Sequence, residues 1–385
     1  MKESSLKLLF AGDFAPCRGY EEIVLRDGAN VFHESSQLIN NADVAFINLE
    51  CPLTKSEDAV SKDGPNIKAD PEAINSLKEF SLIGLANNHI MDFGLGGLTD
   101  TLSAIKNAGL ASVGASAHAS ELANPYISKV RGRRIAIIAL AEREFNHATR
   151  DGVGAAALDP ISSYHQVLDA KTKADLVIVT IHGGNEYFEY PRPKYRQFCQ
   201  FMIDVGASAV VCHHPHVPGA YEYYKGAPIF YSLGNVLFDS NSAPESWEEG
   251  YFVQINFDTV DLGLQGVEIF PYRQSVARSG VQLLDRLEAV PFLNRIESYR
   301  DILRDHDAWM DQWSQYLSAH ASDYLTKQYF PFLFRGLFKV SRKIGMERFL
   351  MRAKDVPKKL NMIQCAAHRD ALEALLYRRL KERRG

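Results

Sequence analysis

Cysteine is scarce in this chain and follows no useful pattern. The five residues, Cys17, Cys51, Cys199, Cys212 and Cys365, are odd in number and show no C-x-x-C spacing. That speaks against both a disulfide framework and a zinc ribbon. Long apolar runs are missing too: nothing approaches the ~18 residues that a membrane-crossing helix needs. The start, Met1-Lys2-Glu3 followed at once by the apolar run 6–11, leaves no room for a charged region, an apolar core and a cleavage site. No signal peptide is therefore expected, and the cytoplasm is the expected location. Internal repeats and low-complexity tracts are absent as well. What remains is a 385-residue chain with 46% hydrophobic content, enough for one large core plus an appendage, or for two domains.

In place of those features stands a regular alternation of strand and helix signals. Segments 6–11 and 44–49 read as strands. Segment 71–80 reads as a helix with Asp70 as its N-cap, followed by the apolar run 82–86. Residues 98–108 predict a helix stopped by Gly109, and 134–140 and 176–182 predict buried strands. Residues 193–205 predict a helix ending at Gly206, and 207–211 a β-branched strand. Later strands at 220–224, 229–232, 251–257 and 267–272 are more hairpin-like. The pattern predicts a sheet-centred, layered α/β domain over residues 1–280. Beyond it glycine thins out and a helical period takes over at 296–317, 324–333 and 366–380, predicting a mostly helical extension over 281–385. From 327 onward there are 16 Lys and Arg against 5 Asp and Glu, a balance of +11 within a chain of net charge −4. Residues 1–326 therefore carry −15, a division that usually marks two jobs or two parts facing different partners.

The chemistry concentrates at strand ends. Val211-Cys212-His213-His214-Pro215-His216 puts three imidazoles within four residues directly after a strand. At a strand end His214 and His216, two apart, should point the same way. Four other polar clusters also follow apolar runs: Gly12-Asp13, Asn48-Leu49-Glu50, Asn87-Asn88-His89 and His182-Gly183-Gly184-Asn185-Glu186. In open α/β sheets ligands bind outside the carboxyl ends of strands. Taken alone, Asp13 is a turn former and Asn48 or Asn88 a cap; their coincidence at five strand ends points to a metal site. Carboxylates, carboxamides and imidazoles without a clearly placed thiolate suit Mn²⁺, Fe²⁺ or Zn²⁺. The donors outnumber what one tetrahedral ion uses, which suggests one or two divalent ions sharing a carboxylate. Such pairs generate hydroxide near neutral pH and clamp a phosphoryl or carbonyl group.

These motifs, together with Arg18, Asp92-Phe93-Gly94, Tyr187, Val217 and Tyr231-Ser232-Leu233-Gly234-Asn235, resemble the bacterial capsule-synthesis CapA family, in order over about residues 5–275. That family is associated with poly-γ-glutamate capsules and is similar in fold to calcineurin-like metallophosphoesterases. The resemblance implies a layered α/β/β/α sandwich. It implies that Asp13 and His216 bind one metal, that Asn88, His182 and His214 bind another, and that Glu50 bridges. It also implies His89 as general acid or transition-state stabiliser, oriented by Asp92. Three departures stand out. Ala15 occupies a position that is commonly histidine, leaving the first metal one ligand short. His182-Gly183-Gly184 replaces a frequent His-Trp-Gly, which should open the pocket wall. The N-terminal membrane anchor of many relatives is not seen.

The leading expectation is a metal-dependent hydrolase or transferase acting on an ester, phosphoester or amide of an acidic polymer or its precursor. Arg18, Arg143, Arg192 and Arg196 follow or flank the motifs and could receive carboxylates or phosphates, with surface ion pairs as the alternative. The competing expectation is a non-catalytic accessory subunit of a capsule polymer synthesis and export complex, to which the missing histidine at Ala15 lends some weight. In the extension, 329–340 mixes five aromatics with cations. It reads either as a peripheral contact with an anionic membrane or as a helical cap packed on the core. No recognised fold supports nucleic-acid binding.

Overall fold

The structure, a computed structural model, describes residues 5–62, 64–144, 153–240, 244–329 and 356–382. Its strands are β1 (Ser5–Ala15), β2 (Val44–Leu49), β3 (Leu82–Gly84), β4 (Ala111–Val113), β5 (Ala115–Ser116), β6 (Tyr126–Val130), β7 (Arg133–Ala141) and β8 (Gly154–Ala155). They continue with β9 (Leu176–His182), β10 (Ala209–His213), β11 (Tyr221–Tyr224), β12 (Ala227–Phe230), β13 (Asn235–Phe238), β14 (Glu249–Asp258), β15 (Leu264–Ser275) and β16 (Gly280–Leu283). One sheet runs β16-β15-β14-β1-β2-β3-β4, with β13 also pairing to β1; the other runs β11-β12-β10-β9-β7-β6. Around β1 to β4 the pairing is parallel, as it is around β7, β9 and β10.

Alternation along the strands builds the layers. In β7, Ile135, Ile137 and Ala139 face a core shared with Leu8, Phe10 and Phe46 of the first sheet. Ala136, Ile138 and Leu140 face a second core, shared with Val167 of α4 (Pro160–Lys173) and with Cys199 and Met202 of α5 (Pro193–Val205). The sheets thus stack on each other with helices on the outside, the α/β sandwich that the sequence implies. α1 (Glu21–Asp27), α2 (Ser35–Asn40) and α3 (Gly94–Asn107) supply core residues on the first sheet's side.

Two expected elements differ. Segment 71–80 forms a tighter 3-10 helix, Pro71–Leu77, although Asp70 caps it as expected by accepting from the Glu72 N–H at 2.9 Å. The single helix expected over 296–317 is two, α6 (Arg286–Arg304) and α7 (His306–Tyr329). The break falls at Asp305, whose carboxylate accepts from the N–H groups of Asp307 and Ala308 at 3.0 and 3.1 Å and so starts a new helix.

The extension packs against the second sheet's outer helices. Trp309, Trp313, Leu317 and Tyr324 of α7 join the second core, with Met362 of α8 (Val356–Gln364) and Leu372 and Leu375 of α9 (Ala366–Glu382). Arg192, at the start of α5, is buried between Glu142 and Asp370 of α9, an ion pair that spans from the sheet to the last helix. Segment 330–355, which holds most of the aromatic and basic stretch 329–340, lies outside the described residues. Among the described residues no helix is long and apolar enough to cross a membrane.

Trp313 is 4% exposed and packs against the rings of Phe188 and Tyr316. Trp313→Ala should cost about 3–5 kcal/mol of stability in urea denaturation, the range for deleting a large buried aromatic. A loss below about 0.5 kcal/mol, as for an exposed site, would show that the extension does not share the core's cooperative unit.

Candidate metal centre

The centre assembles at the carboxyl ends of β1, β2, β9 and β10. Asp13 near the end of β1 is in register with Asn48 of β2 and Asn235 of β13. That approach requires Gly12: a Cβ there would stand 1.9 Å from the carbonyl oxygen of Gly234. Asn48 donates from Nδ2 to Asp13 Oδ1 at 2.7 Å, and the His214 N–H donates to Asp13 Oδ2 at 3.0 Å. β10 ends at His213, so strand alternation is not what aligns His214 and His216. Both lie in the following turn at positive φ, 98° and 62°. Such backbone costs about 1–3 kcal/mol per residue and persists where its surroundings enforce it.

Three donor atoms surround His182 Nε2. His182 Nε2 lies 2.9 Å from Asn88 Oδ1, 3.2 Å from His214 Nδ1 and 3.4 Å from Glu50 Oε1. Tetrahedral ligands held at ~2.0–2.2 Å from an ion would stand about 3.3–3.6 Å apart. On the other side, His216 Nε2 is 3.6 Å from the same Glu50 oxygen and His216 Nδ1 is 3.6 Å from Asp13 Oδ2. Glu50 therefore touches both groups of donors. Asp13, Glu50 and His182, and likewise Glu50, His214 and His216, bring ligand atoms within 4.8 Å of one another.

Glu50 is 0% exposed, and neither carboxylate oxygen has a hydrogen-bond donor. Burial, and then the charge of Asp13, push its pKa well above the usual carboxylate value. Burial, and then His214, push His182 well below the usual imidazole value; burial lowers His216 to about 4 against the opposing pull of Asp13. For Asp13 burial acts upward, but His213 at 3.5 Å and the charges of His182 and His216 outweigh it and hold the carboxyl far below its usual value. Neutral imidazoles and an ionised Asp13 are the protonation states that a divalent cation requires. Together with Glu50's orphaned oxygens they make a donor set that fits one.

A cavity of about 510 Å³ opens over this centre. Asn88, His89 and His214 line it from the sheets, and Tyr316, His320, Tyr324, Met362 and His368 line it from the extension. His89 Nδ1 is 2.7 Å from Asp92 Oδ2 and 3.1 Å from Lys62 Nζ, and Lys62 itself pairs with Asp92. Burial first, and the Lys62 charge second, lower the His89 pKa.

All six expected ligands, Asp13, Glu50, Asn88, His182, His214 and His216, therefore meet, with His89 and Asp92 beside them. The four arginines do not join them. Arg192 is used up by Glu142 and Asp370, and Arg196 by Glu222 while lying over the Trp309 ring. Arg18 donates to the backbone oxygen of Asp239, and Arg143 is exposed; none of the four lines the cavity. Internal carboxylates claim the two guanidinium groups that burial would have made strong anion receptors. Nor does Gly183 open the wall: a Cβ there would come within 2.4 Å of Glu142 Cγ, so the Glu142–Arg192 pair occupies that space.

Sequence reading missed Lys62, Glu144, His320 and His368, isolated polar residues with no pattern around them. It also gave no role to Asn235, whose Oδ1 is 3.0 Å from His216 Nδ1, though it closes a motif named above.

The architecture and the centre define a two-sheet α/β protein with a mixed imidazole, carboxylate and carboxamide donor site. The model of the bacterial capsule synthesis protein PGA_cap matches residues 7–240, and the chain belongs to that family. It is 35% identical over 250 residues to the capsule biosynthesis protein CapA of Bacillus anthracis, covering 62% of this chain and 61% of that one. It is 34% identical over 242 residues to the PGA biosynthesis protein CapA of Bacillus subtilis, covering 61% and 63%. The chain thus spans about three fifths of the length of these relatives. Among solved structures it is similar to the calcineurin-like phosphoesterase YfkN of Bacillus subtilis, at 15% identity and a TM-score of 0.45, covering 73% of this chain and 93% of that one.

A raised Glu50 pKa means that the folded, metal-free protein holds that proton longer than the unfolded chain does. Stability from this group is full below the ordinary value of 4.5 and is lost as pH rises through the folded value. In chelator, Glu50→Gln should therefore gain stability over the parent as pH rises from about 5 to 8. With Mn²⁺ or Zn²⁺ added the order should invert. Denaturant titrations at several pH values check both, and an order that metal does not change would show that Glu50 binds no cation.

Proposed function

We propose that this protein is a metal-dependent hydrolase or transferase acting on an ester, phosphoester or amide of an acidic, polyglutamate-like polymer or its precursor in capsule synthesis. In this reading residues 1–280 carry the chemistry and residues 281–385 roof the site. The observation that carries it is the convergence of imidazole, carboxamide and orphaned carboxylate donors beneath a cavity that His89 also lines. Asn88, His182, His214 and Glu50 would hold one divalent ion, and Asp13 and His216 would hold a second with Glu50 shared. Such an ion supplies Lewis acidity, polarising a phosphoryl or carbonyl oxygen and acidifying water.

The protein's own residues account for the proton. His89 Nδ1 sits between Asp92 and Lys62, which leaves Nε2 available to the cavity. In the tautomer that donates Nδ1–H to Asp92, Nε2 carries a lone pair. In the tautomer that accepts from Lys62, Nε2 carries the proton. The lowered pKa keeps the ring neutral near pH 7, so one proton can be given or taken at Nε2. Asp92 also accepts from the Ile67 N–H at 2.8 Å, which fixes the orientation of the pair.

The roles separate by mutation. His214→Ala should lose metal, whereas His89→Ala should keep metal and lose about 10²–10⁴-fold in turnover of a generic phosphodiester. Elemental analysis and a steady-state assay on the same preparations read both. Full metal loading with no turnover by the parent protein on phosphodiester, ester or amide probes would overturn catalysis in favour of a non-catalytic accessory role.

A further inference from the structure

A second cluster of ligand-type side chains lies where the extension meets the cavity. Cys365 immediately precedes α9 and His368 lies in its first turn. Glu144, three residues after the end of β7, reaches them from the sheet. Cys365 Sγ is 3.3 Å from Glu144 Oε1, and the ligand atoms of Glu144, Cys365 and His368 all lie within 4.8 Å of one another. The other Glu144 oxygen accepts from Asn88 Nδ2 at 3.0 Å, so the cluster adjoins the first centre without sharing its donors. Its position is not accidental to the packing. Glu142, two residues earlier, grips Arg192, which bonds Asp370 on the same helix at 3.0 Å.

We propose that Glu144, Cys365 and His368 form a separate, thiolate-containing metal site that takes a borderline-soft divalent ion such as Zn²⁺ and staples α9 to the cavity rim. The donor chemistry differs from that of the first centre. One sulfur, one imidazole nitrogen and one carboxylate oxygen suit Zn²⁺ or Co²⁺, whereas the first centre offers only oxygen and nitrogen. Three protein ligands leave a fourth position. Glu144 and His368 both line the cavity, so that position is open to an anionic group there, a carboxylate or a phosphate. Cys365 is 2% exposed, and burial and then the Glu144 charge raise its thiol well above the ordinary value. A bound cation supplies the counter-charge that lets such a thiol ionise. Without one, the thiol simply donates to Glu144.

Cobalt substitution tests this directly, because a thiolate on Co²⁺ gives an intense near-ultraviolet charge-transfer band that oxygen and nitrogen donors do not give. Full-length protein is stripped with chelator under reducing conditions and titrated with Co²⁺. The expected result is a charge-transfer band whose final amplitude corresponds to one thiolate-bound Co²⁺ per chain. In Cys365→Ser that band should vanish and bound metal should fall by one equivalent. The visible d–d bands of the first centre should remain, which also shows that the variant is folded. Glu144→Gln and His368→Ala should weaken Co²⁺ at the thiolate site at least 10-fold. Absence of the band in the parent protein, or its survival in Cys365→Ser, overturns the proposal. Because d–d bands without a thiolate band would leave the first centre intact, failure here is distinct from failure of the catalytic reading.

Discussion

Both carboxylate oxygens of Glu50 lie out of water with no N–H or O–H directed at them, and one of them, Oε1, is 3.4 and 3.6 Å from the nitrogens of His182 and His216. An ionised carboxylate in such a place costs several kcal/mol, and folding supplies nothing to offset it. Either a proton or an external cation must do so. Much of the surrounding structure follows from keeping that group where it is. Gly12 lets β13 close on β1, Asn48 and the His214 N–H fix Asp13, and a turn at positive φ swings two imidazoles over the carboxylate. Natural proteins concede stability at sites that handle ligands, and this centre concedes it in desolvation and backbone strain together.

Much of this was legible in the sequence because strand ends advertise themselves. An apolar run that stops abruptly at Asp, Asn or His is visible one segment at a time, and five such stops suffice to mark a shared rim. β2, β9 and α5 match their expected bounds for the same reason: buried parallel strands and a Pro-to-Gly helix leave sharp edges. Longer-range facts were not visible. Nothing local distinguishes Arg192, enclosed by Glu142 and Asp370, from an arginine waiting for substrate, since its partners lie 50 and 178 residues away. Lys62 likewise reads as a loop cation until the fold sets it against Asp92 and His89. The turn at His214 and His216 shows a subtler limit: the two side chains meet, but through backbone geometry that a strand-based reading does not anticipate.

The extension changes what the centre is. Judged by sequence it is a basic, helical appendage of different character from the rest. In the fold its aromatic face completes the second core, and Tyr316, His320, Tyr324 and His368 stand over the donors. A cavity of about 510 Å³ is the size of a small-molecule site, and helices of the extension form part of its wall. The cavity wall is thus set in part by one segment of the chain and the donor set by another.

That division follows the order of the sequence. Every donor of the first centre precedes residue 217, while the extension residues over it come after residue 315. During synthesis, which proceeds from the N-terminus, the donors emerge and begin to fold before their roof exists. The same order separates two kinds of inheritance. Changes in α7 or α9 reshape the cavity wall while leaving the donors of the first centre alone, so wall and donors can vary independently.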